Sequence, residues 1–154
     1  MRSVSVFYHG MFDTCLYIMP DDVASKNDIP ETFGFQKTLK SYMGDNDVVC
    51  SSIIFKSQCY RNGDLVIIGI EDCDNLRVGL IKAILIKENE VYFLVKSYKA
   101  TRNFLQYFES IKSTENVFEF VRPEKLKDFK PLYMRGTEKS FVFTLHHFVS
   151  FEYQ

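Results

Sequence analysis

Apolar side chains recur at short intervals along most of the chain, and their spacing predicts β-strands. Near the N-terminus, SVSVFY and TCLYIM flank the turn-like HGMFD, which predicts an antiparallel hairpin. Further strands are predicted at VVCSSIIF, LVIIGI, LRVGLIKAILIK, EVYFLVKSY, NVFEFV and FVFTLHHFVSF. The pattern therefore predicts about eight to ten short strands without an internal repeat.

The central run from Tyr60 to Leu85 returns to apolar residues on both faces of an extended chain. One predicted face carries Val78, Leu80, Ile84 and Ile86 with Lys82 interrupting it, and the other carries Gly79, Ile81, Ala83 and Leu85. Such a strand fits a closed or sandwiched core better than a one-sided sheet. Turns are predicted at the Asn-Gly of YRNGDL, at EDCDN, and at ENE, where we expect a hairpin with a short polar loop. A helix over GLIKAILIKENE is the alternative that the composition permits.

Three segments carry helix or loop signals. Residues 20–47 mix Pro and Gly with acidic and amide residues, which predicts a loop with a short helix inside ETFGFQKTLKSYM. The segment KATRNFLQYFESI fits either a short helix or a connection followed by a strand. The early Pro of RPEKLKDF predicts a single helical turn. Together with the strands, these signals predict a mainly β fold, a small and partly closed barrel with added hairpins and one or two short helices.

Length and composition agree with one β-rich domain. A chain of 154 residues is close to the usual size of a domain, and no linker divides it. We expect a single domain over 1–154, with an N-terminal hairpin and loop at 1–49 and the barrel at 50–154. The chain contains 15 Phe and 9 Tyr but no Trp, and such rings favour pleated, half-buried surfaces.

The charge balance and the apolar runs limit where the protein acts. Lys and Arg number 19 against 20 Asp and Glu, so the formal net charge is −1, which disfavours non-specific nucleic-acid binding. The apolar runs fall far below the roughly 20 residues of a spanning helix, and the N-terminus lacks a secretory pattern. We expect an intracellular protein, with the nucleus as one setting, whose cysteines Cys15, Cys50, Cys59 and Cys73 stay reduced.

Catalytic and metal-binding patterns are weak. The histidines are His9, His146 and His147, and the adjacent pair points to opposite faces of a strand, so both cannot enter one small site without a bulge. The cysteines form no CxxC pair, the acidic turn EDCD lacks the spacing of a calcium loop, and the glycines form no nucleotide loop. We predict no catalytic residue, metal site or cofactor. A thiol or hydrolytic enzyme with a cysteine and a histidine is kept as a second alternative.

Aromatic residues and one carboxylate are dense after the central strands. Rings that line a groove, with a carboxylate to orient a cation, are the ingredients of a pocket for a methylated cation or of a peptide groove. The alternative is that the same rings pack in the hydrophobic core and bind no partner. The predicted partner-binding residues are Tyr92, Tyr98, Tyr107, Phe108 and Glu109.

A cationic stretch, KSYKATRN, supplies a nucleic-acid alternative. Lys96, Lys99 and Arg102 interleave with Tyr98 and Phe104, and phosphate contacts combined with base stacking can bind single-stranded nucleic acid. The near-neutral net charge of the chain argues against this alternative, and a solvated loop or strand end accounts for the same residues.

The run YRNGDLVII, the strand GLIKAIL, VYFLVKSY and the late EFVRPEKL together resemble the layout of a bromo-adjacent homology (BAH) domain over roughly residues 57–151. The order of LKDFKPLYMRG before FVFTLHHFVSF is also similar to β-rich terminal regions of transposon-derived proteins. The resemblance implies a protein-interaction module, often in chromatin, without catalysis of its own, and a histone tail or another chromatin protein as the partner. We therefore expect a non-catalytic module that binds another macromolecule, in the first place a protein.

Overall fold

The computed structural model describes residues 6–7, 16–18, 24–28, 35–103, 105, 107–111 and 117–145. In this part the fold is mainly β, as predicted, and contains one α-helix, α1 (Phe35–Tyr42). The strands are β1 (Val6–Phe7), β2 (Leu16–Ile18), β3 (Ala24–Ser25), β4 (Val48–Cys50), β5 (Ser52–Phe55), β6 (Gln58–Arg61), β7 (Leu65–Asp72), β8 (Asn75–Lys87), β9 (Glu90–Arg102), β10 (Phe108–Ser110), β11 (Phe118–Val121), β12 (Arg135–Thr137) and β13 (Ser140–Phe143). Short 3-10 turns occur at Lys26–Asp28 and Pro123–Lys125. None of the helices described here is long and apolar enough to cross a membrane.

A long hairpin of β8 and β9 forms the centre of the fold. Each strand has 13 residues, and the antiparallel pairing runs from Asn75 opposite Thr101 to Lys87 opposite Glu90. The turn residues Glu88 and Asn89 have φ values of 50° and 67°, the left-handed conformation of a two-residue hairpin turn. The predicted hairpin is confirmed and the helical alternative is wrong, because the backbone groups of this segment pair with neighbouring strands.

A β-bulge at Lys82 changes which residues of β8 lie on each face of the sheet. The register shifts between Ile81 and Ala83, so that one extra residue lies on β8. An extra residue moves every later side chain to the other face. The predicted face that joins Leu80 to Ile84 is therefore wrong: Ile84 packs in the same core as Ile81, and Leu80 packs in a different one.

The strands form two sheets. The larger sheet has the order β12-β13-β10-β9-β8-β4-β3, with β11 beside β9 and β7 beside β8, and it curls into a half-barrel. The smaller sheet has the order β1-β2-β5-β6. The predicted N-terminal hairpin is confirmed by the antiparallel pair β1 and β2. VVCSSIIF is two strands, not one, because the chain passes from the larger sheet to the smaller one at Ser51.

Three buried clusters hold these layers together. The first lies between the smaller sheet and the central hairpin and includes Ile53, Phe55, Tyr60, Ile81, Ile84, Phe93 and Val95. The second lies inside the curl and includes Leu65, Ile67, Val78, Leu80, Phe108, Phe141 and Phe143. The third lies under α1 and includes Leu39, Met43, Val49, Ala83, Leu85 and Leu94. Both faces of the central hairpin are thus buried near its middle, as its two-sided apolar pattern predicts.

Residues 122–135 run along the outer edge of β7, and we call this segment the strap. The backbone N–H of Lys127 donates to the carbonyl of Ile67 at 3.0 Å, and that of Leu132 donates to the carbonyl of Leu65 at 2.7 Å. The Leu132 side chain is buried in the second cluster. The strap therefore covers part of an edge strand whose hydrogen-bonding groups would otherwise face solvent. The predicted helical turn is confirmed at Pro123–Lys125.

The predicted turns and the late segments have mixed outcomes. The Asn-Gly turn is confirmed: Gly63 has a φ of 93°, and the Asp64 N–H donates to the Arg61 carbonyl at 3.0 Å. The segment KATRNFLQYFESI begins with the end of β9 and then forms a connection followed by β10, so that within the residues described there it takes the second of its two predicted forms. The predicted final strand is confirmed through Phe143. Thr144 and Leu145 are not part of the strand, and the remainder from residue 146 lies outside the described residues.

Candidate functional site

Tyr92 and Tyr98 lie on the same face of β9 but pack in different surroundings. They are six residues apart, which is about 20 Å along a strand. The Tyr92 hydroxyl donates to Glu90 at 2.8 Å, and this hydrogen bond is the main cause of the raised pKa of Tyr92. The Tyr98 ring meets Phe141 edge-on at 5.2 Å between centroids, at the second cluster. The two rings therefore do not line one pocket.

Tyr107, Phe108 and Glu109 alternate across the start of β10. Phe108 is 2% exposed and stacks on Phe143 with 5.4 Å between centroids. Tyr107 is 37% exposed, and the exposed Glu109 carboxylate accepts a hydrogen bond from the Asn103 side chain at 2.8 Å. Phe108 belongs to the core, and the five residues proposed from the sequence do not converge on one groove in the part that the structure describes.

The cations of the nucleic-acid alternative are also separated. Lys96 pairs with Glu138 at 3.2 Å. Arg102 donates to the Cys73 carbonyl at 2.9 Å and lies over the Phe108 ring at 5.1 Å. Lys99 is exposed and, three residues from Lys96, lies on the opposite face of β9. They form no common basic surface.

Glu138, in the turn between β12 and β13, receives two lysine ammonium groups. Lys82, the bulge residue, and Lys96 on β9 both donate to its carboxylate. Burial alone would raise the pKa of Glu138, but these two hydrogen bonds outweigh it and hold the pKa below its usual value of 4.5. These ion pairs attach the turn to the central hairpin. Both lysine ammonium groups therefore already have a carboxylate partner.

Thiol and metal chemistry find little support in the residues described. Cys50 is buried, Cys59 is half-buried and Cys73 is exposed, and none of the three forms a disulfide with another described residue. Cys15 and all the histidines named above lie outside the described residues, so the pairing of a cysteine with a histidine stays a prediction. Among the residues that are described, no group of three or more His, Cys, Asp or Glu side chains could hold a metal ion.

The strap presents two large aromatic rings to solvent. Phe129 is 62% exposed and Tyr133 is 73% exposed. The backbone that carries them is held in place by two contacts. The Phe129 carbonyl accepts a hydrogen bond from the Tyr60 hydroxyl at 2.5 Å, and the side chain of Leu132, which precedes Tyr133, is buried. Exposed rings on a fixed backbone need little further ordering when a partner binds.

A pocket of about 280 Å³ opens beside Phe129, between the strap and the turn of the smaller sheet. Its lining combines the apolar groups of Phe55, Tyr60, Pro123, Leu126 and Phe129 with the polar side chains of Lys56, Gln58 and Glu124. Burial is the main cause that raises the pKa of Tyr60 to about 12, and the nearby Asp128 adds to it. Tyr60 therefore remains a neutral hydrogen-bond donor throughout the physiological range.

The same segment carries an excess of positive charge. Arg122 is paired with Glu90 and Glu124, at 3.0 and 2.7 Å, and the Asp128 side chain is buried. The remaining cations of the strap are exposed and make no ion pair with any described residue. We define the strap surface as these cations and the two rings: Lys125, Lys127, Phe129, Lys130, Tyr133 and Arg135.

No candidate site predicted from the sequence includes the strap surface. The stretch KLKDFKPLYMR alternates lysines with rings, the same mixture that drew attention to residues 96–109. Its Pro residues and short apolar intervals predicted only a helical turn, and nothing in the pattern distinguishes Leu126 and Leu132, which are turned inward, from Phe129 and Tyr133, which are exposed. The signal that could have found it is the run of lysines that has too few carboxylates to pair with.

No protein-family model, no curated protein and no solved structure matches this chain. The resemblance to a BAH domain, the chromatin setting and the similarity to transposon-derived proteins therefore stay predictions.

Proposed function

We propose that the protein is a non-catalytic interaction module that binds another protein through the strap surface. The observation that carries this proposal is the exposure of Phe129 and Tyr133, at 62% and 73%, on a backbone fixed by hydrogen bonds. Aromatic and Arg side chains supply most of the hot spots in protein interfaces. A folded chain that leaves two such rings in water gains from covering them with a partner.

Burial of the two strap rings by a partner would contribute free energy to binding. An exposed ring that becomes buried at the centre of an interface typically contributes about 2 kcal/mol or more to binding. Because the strap backbone is already fixed by β7 and Tyr60, the ordering cost on this side of the interface is small.

The charge of the surface bears on the kind of partner. A basic histone tail, which the BAH resemblance implies, would meet like charges on Lys125, Lys127 and Lys130. Like charges across an interface oppose association. We therefore place the strap surface, and not the residues between Tyr92 and Glu109, at the centre of the proposed function, and we do not retain a histone tail as the favoured partner.

A display experiment tests the proposed function. The protein is immobilised and challenged with a library of random peptides, and the enriched peptides are resynthesised for titration. We expect recurrent peptides whose affinity falls about tenfold or more in the double variant Phe129→Ala and Tyr133→Ala, the loss that follows from removing two hot-spot rings.

The matched control removes two exposed side chains from a different surface. Leu105 is 60% exposed and Tyr107 is 37% exposed in the connection before β10. The double variant Leu105→Ala and Tyr107→Ala should bind the selected peptides as the unchanged protein does. Enrichment of no peptide, or peptides that depend on Leu105 and Tyr107 and not on the strap rings, would reject the proposal.

A further inference from the structure

We infer that the segment recognised by the strap surface is an acidic stretch of polypeptide that inserts one bulky apolar side chain into the pocket beside Phe129. This inference rests on the proposed function, and it adds the chemical class of the partner. It follows from three features of the surface: the size of the pocket, its lining and the unpaired positive charge around it.

The pocket is suited to one side chain. Its volume of about 280 Å³ is at or below the lower end of the range, roughly 300–1,000 Å³, that small-molecule sites occupy. Rings and aliphatic groups from Phe55, Tyr60, Pro123 and Leu126 form the apolar part of the wall, and the polar part includes Gln58 and Glu124. This apolar wall favours an apolar side chain, because burial there removes apolar surface from water.

Two of the polar groups that line the pocket are already engaged. The Tyr60 hydroxyl donates its proton to the Phe129 carbonyl at 2.5 Å. The Glu124 carboxylate accepts from Arg122 at 2.7 Å. A hydrophilic side chain that entered would lose its water without finding a free partner among these groups, which is unfavourable. An apolar anchor carries no such cost.

Positive charge surrounds the pocket and is not neutralised by the described residues. Lys56 lines the pocket from the turn of the smaller sheet, and Lys125, Lys127 and Lys130 follow along the strap. Glu124 is the one exposed carboxylate in the strap, and Arg122 holds it. Carboxylates on both sides of the apolar anchor would therefore meet cations that have no competing partner here, which favours association and its rate.

A polypeptide is favoured over nucleic acid for two reasons. A small pocket with apolar walls accepts a side chain end-on, whereas single-stranded nucleic acid binds by stacking bases on open ring faces along a basic groove. The chain as a whole has a formal net charge of −1, so that long-range attraction for phosphate is weak.

The test uses a short fluorescein-labelled peptide of Glu and Ser around one central Phe, titrated by fluorescence anisotropy. Three comparison probes are the same peptide with the Phe replaced by Ala, the same peptide with every Glu replaced by Lys, and oligothymidine of similar length. We expect the Phe-containing acidic peptide to bind, the Ala probe to bind about tenfold or more weakly, and the Lys probe not to bind. A rise in salt concentration from about 50 to about 200 mM should lower the affinity for the acidic peptide several-fold.

Charge-reversal variants separate this inference from general effects of net charge. Lys127→Glu with Lys130→Glu should abolish binding of the acidic peptide and permit binding of the Lys probe. The control, Lys37→Glu with Lys99→Glu, changes the net charge equally at exposed positions on α1 and β9 and should leave the affinity of the acidic peptide within about twofold at moderate salt.

The outcomes also separate the inference from the proposed function. If peptides selected by display bind through Phe129 and Tyr133 but are neutral or basic, and the acidic probe does not bind, the function stands and the acidic partner is wrong. If neither the selected peptides nor the acidic probe bind, both are wrong. Oligothymidine that binds more tightly than every peptide would overturn both in favour of a nucleic-acid-binding protein.

Discussion

Glu138 is the residue at which the bulge of β8 and the turn between β12 and β13 meet. Its carboxylate receives Lys82 and Lys96, and both lysines are partly buried beside it. A carboxylate whose pKa is lowered in the folded protein contributes stability above its unfolded pKa and loses it as the pH falls through the folded value. Since the pKa of Glu138 lies below its usual value of 4.5, this contribution is complete at neutral pH and declines in the acid range below 4.5.

The substitution Glu138→Gln tests this assignment. At pH 7 we expect it to lower the free energy of unfolding by about 1 kcal/mol, a figure that allows for solvent screening of a half-exposed ion pair. The difference from the unchanged protein should become smaller as the pH falls from 4.5 to 3, because Glu138 takes up a proton more readily in the unfolded chain than in the folded protein. Urea denaturation followed by circular dichroism at the two pH values measures both quantities.

Glu71 supplies the control for that experiment. It is exposed, at the end of β7, and makes no ion pair with any residue in the described ranges. Glu71→Gln should change the free energy of unfolding by less than about 0.5 kcal/mol at either pH. A loss for Glu138→Gln that is the same at pH 3 as at pH 7 would contradict the ion-pair assignment.

The central hairpin is the element on which the other elements are built. Its polar turn could be predicted from ENE, and its two-sided burial from the apolar pattern. The bulge could not, because alternation along one strand does not reveal how many residues the partner strand places opposite it. The predicted faces of Ile84 and Ile86 were therefore wrong, because the extra residue Lys82 places both side chains on the opposite face of β8.

The close approach of β8 and β9 at Gly79 makes a prediction for this element. A Cβ added at Gly79 would lie 2.8 Å from Cβ and Cγ2 of Val95, which is inside the core and has little room to move. We expect Gly79→Ala to lower the free energy of unfolding by about 2 kcal/mol, the usual cost of overpacking a core. The double variant Gly79→Ala with Val95→Ala should be less destabilised than the sum of the two single variants.

Gly69 is the matched control on β7. A Cβ there would meet the Arg77 side chain at 3.3 Å, and Arg77 is partly exposed and can shift. Gly69→Ala should therefore be within about 0.5 kcal/mol of the unchanged protein. Equal losses from both glycine substitutions, measured by denaturant titration, would show that the contact with Val95 is not the cause.

At the scale of the whole molecule, the fold class was within reach of the sequence and the surface was not. Alternating apolar residues and turn residues are local signals, and they predicted a mainly β chain with hairpins. Exposure is a property of the assembled molecule. Phe108 and Phe129 both lie among polar and aromatic residues in the sequence. Phe108 is nevertheless buried against Phe143, whereas the Phe129 side chain on the strap is exposed to solvent. The candidate site therefore moved from β9 and β10 to the strap once the packing was known.

Tyr60 connects the strap to the core, and the substitution Tyr60→Phe gives a prediction at this scale. The substitution removes the hydroxyl that holds the Phe129 carbonyl and leaves the ring in the first cluster. We expect a loss of about 1 kcal/mol in the free energy of unfolding, the usual net value of a buried hydrogen bond. Selected peptides should also bind several-fold more weakly, because the strap must then be ordered on binding. Unchanged peptide affinity with reduced stability would separate the two effects and contradict the role given to strap rigidity.

The most direct test of the strap surface as a binding site is a backbone NMR titration of the ¹⁵N-labelled protein with a peptide selected by display. The largest shift changes should fall on the amides of the strap from Lys127 to Arg135 and on those around Lys56, with little change in the connection at Leu105 and Tyr107. Shift changes centred on that connection, or on a surface that contains neither Phe129 nor Tyr133, would contradict the account.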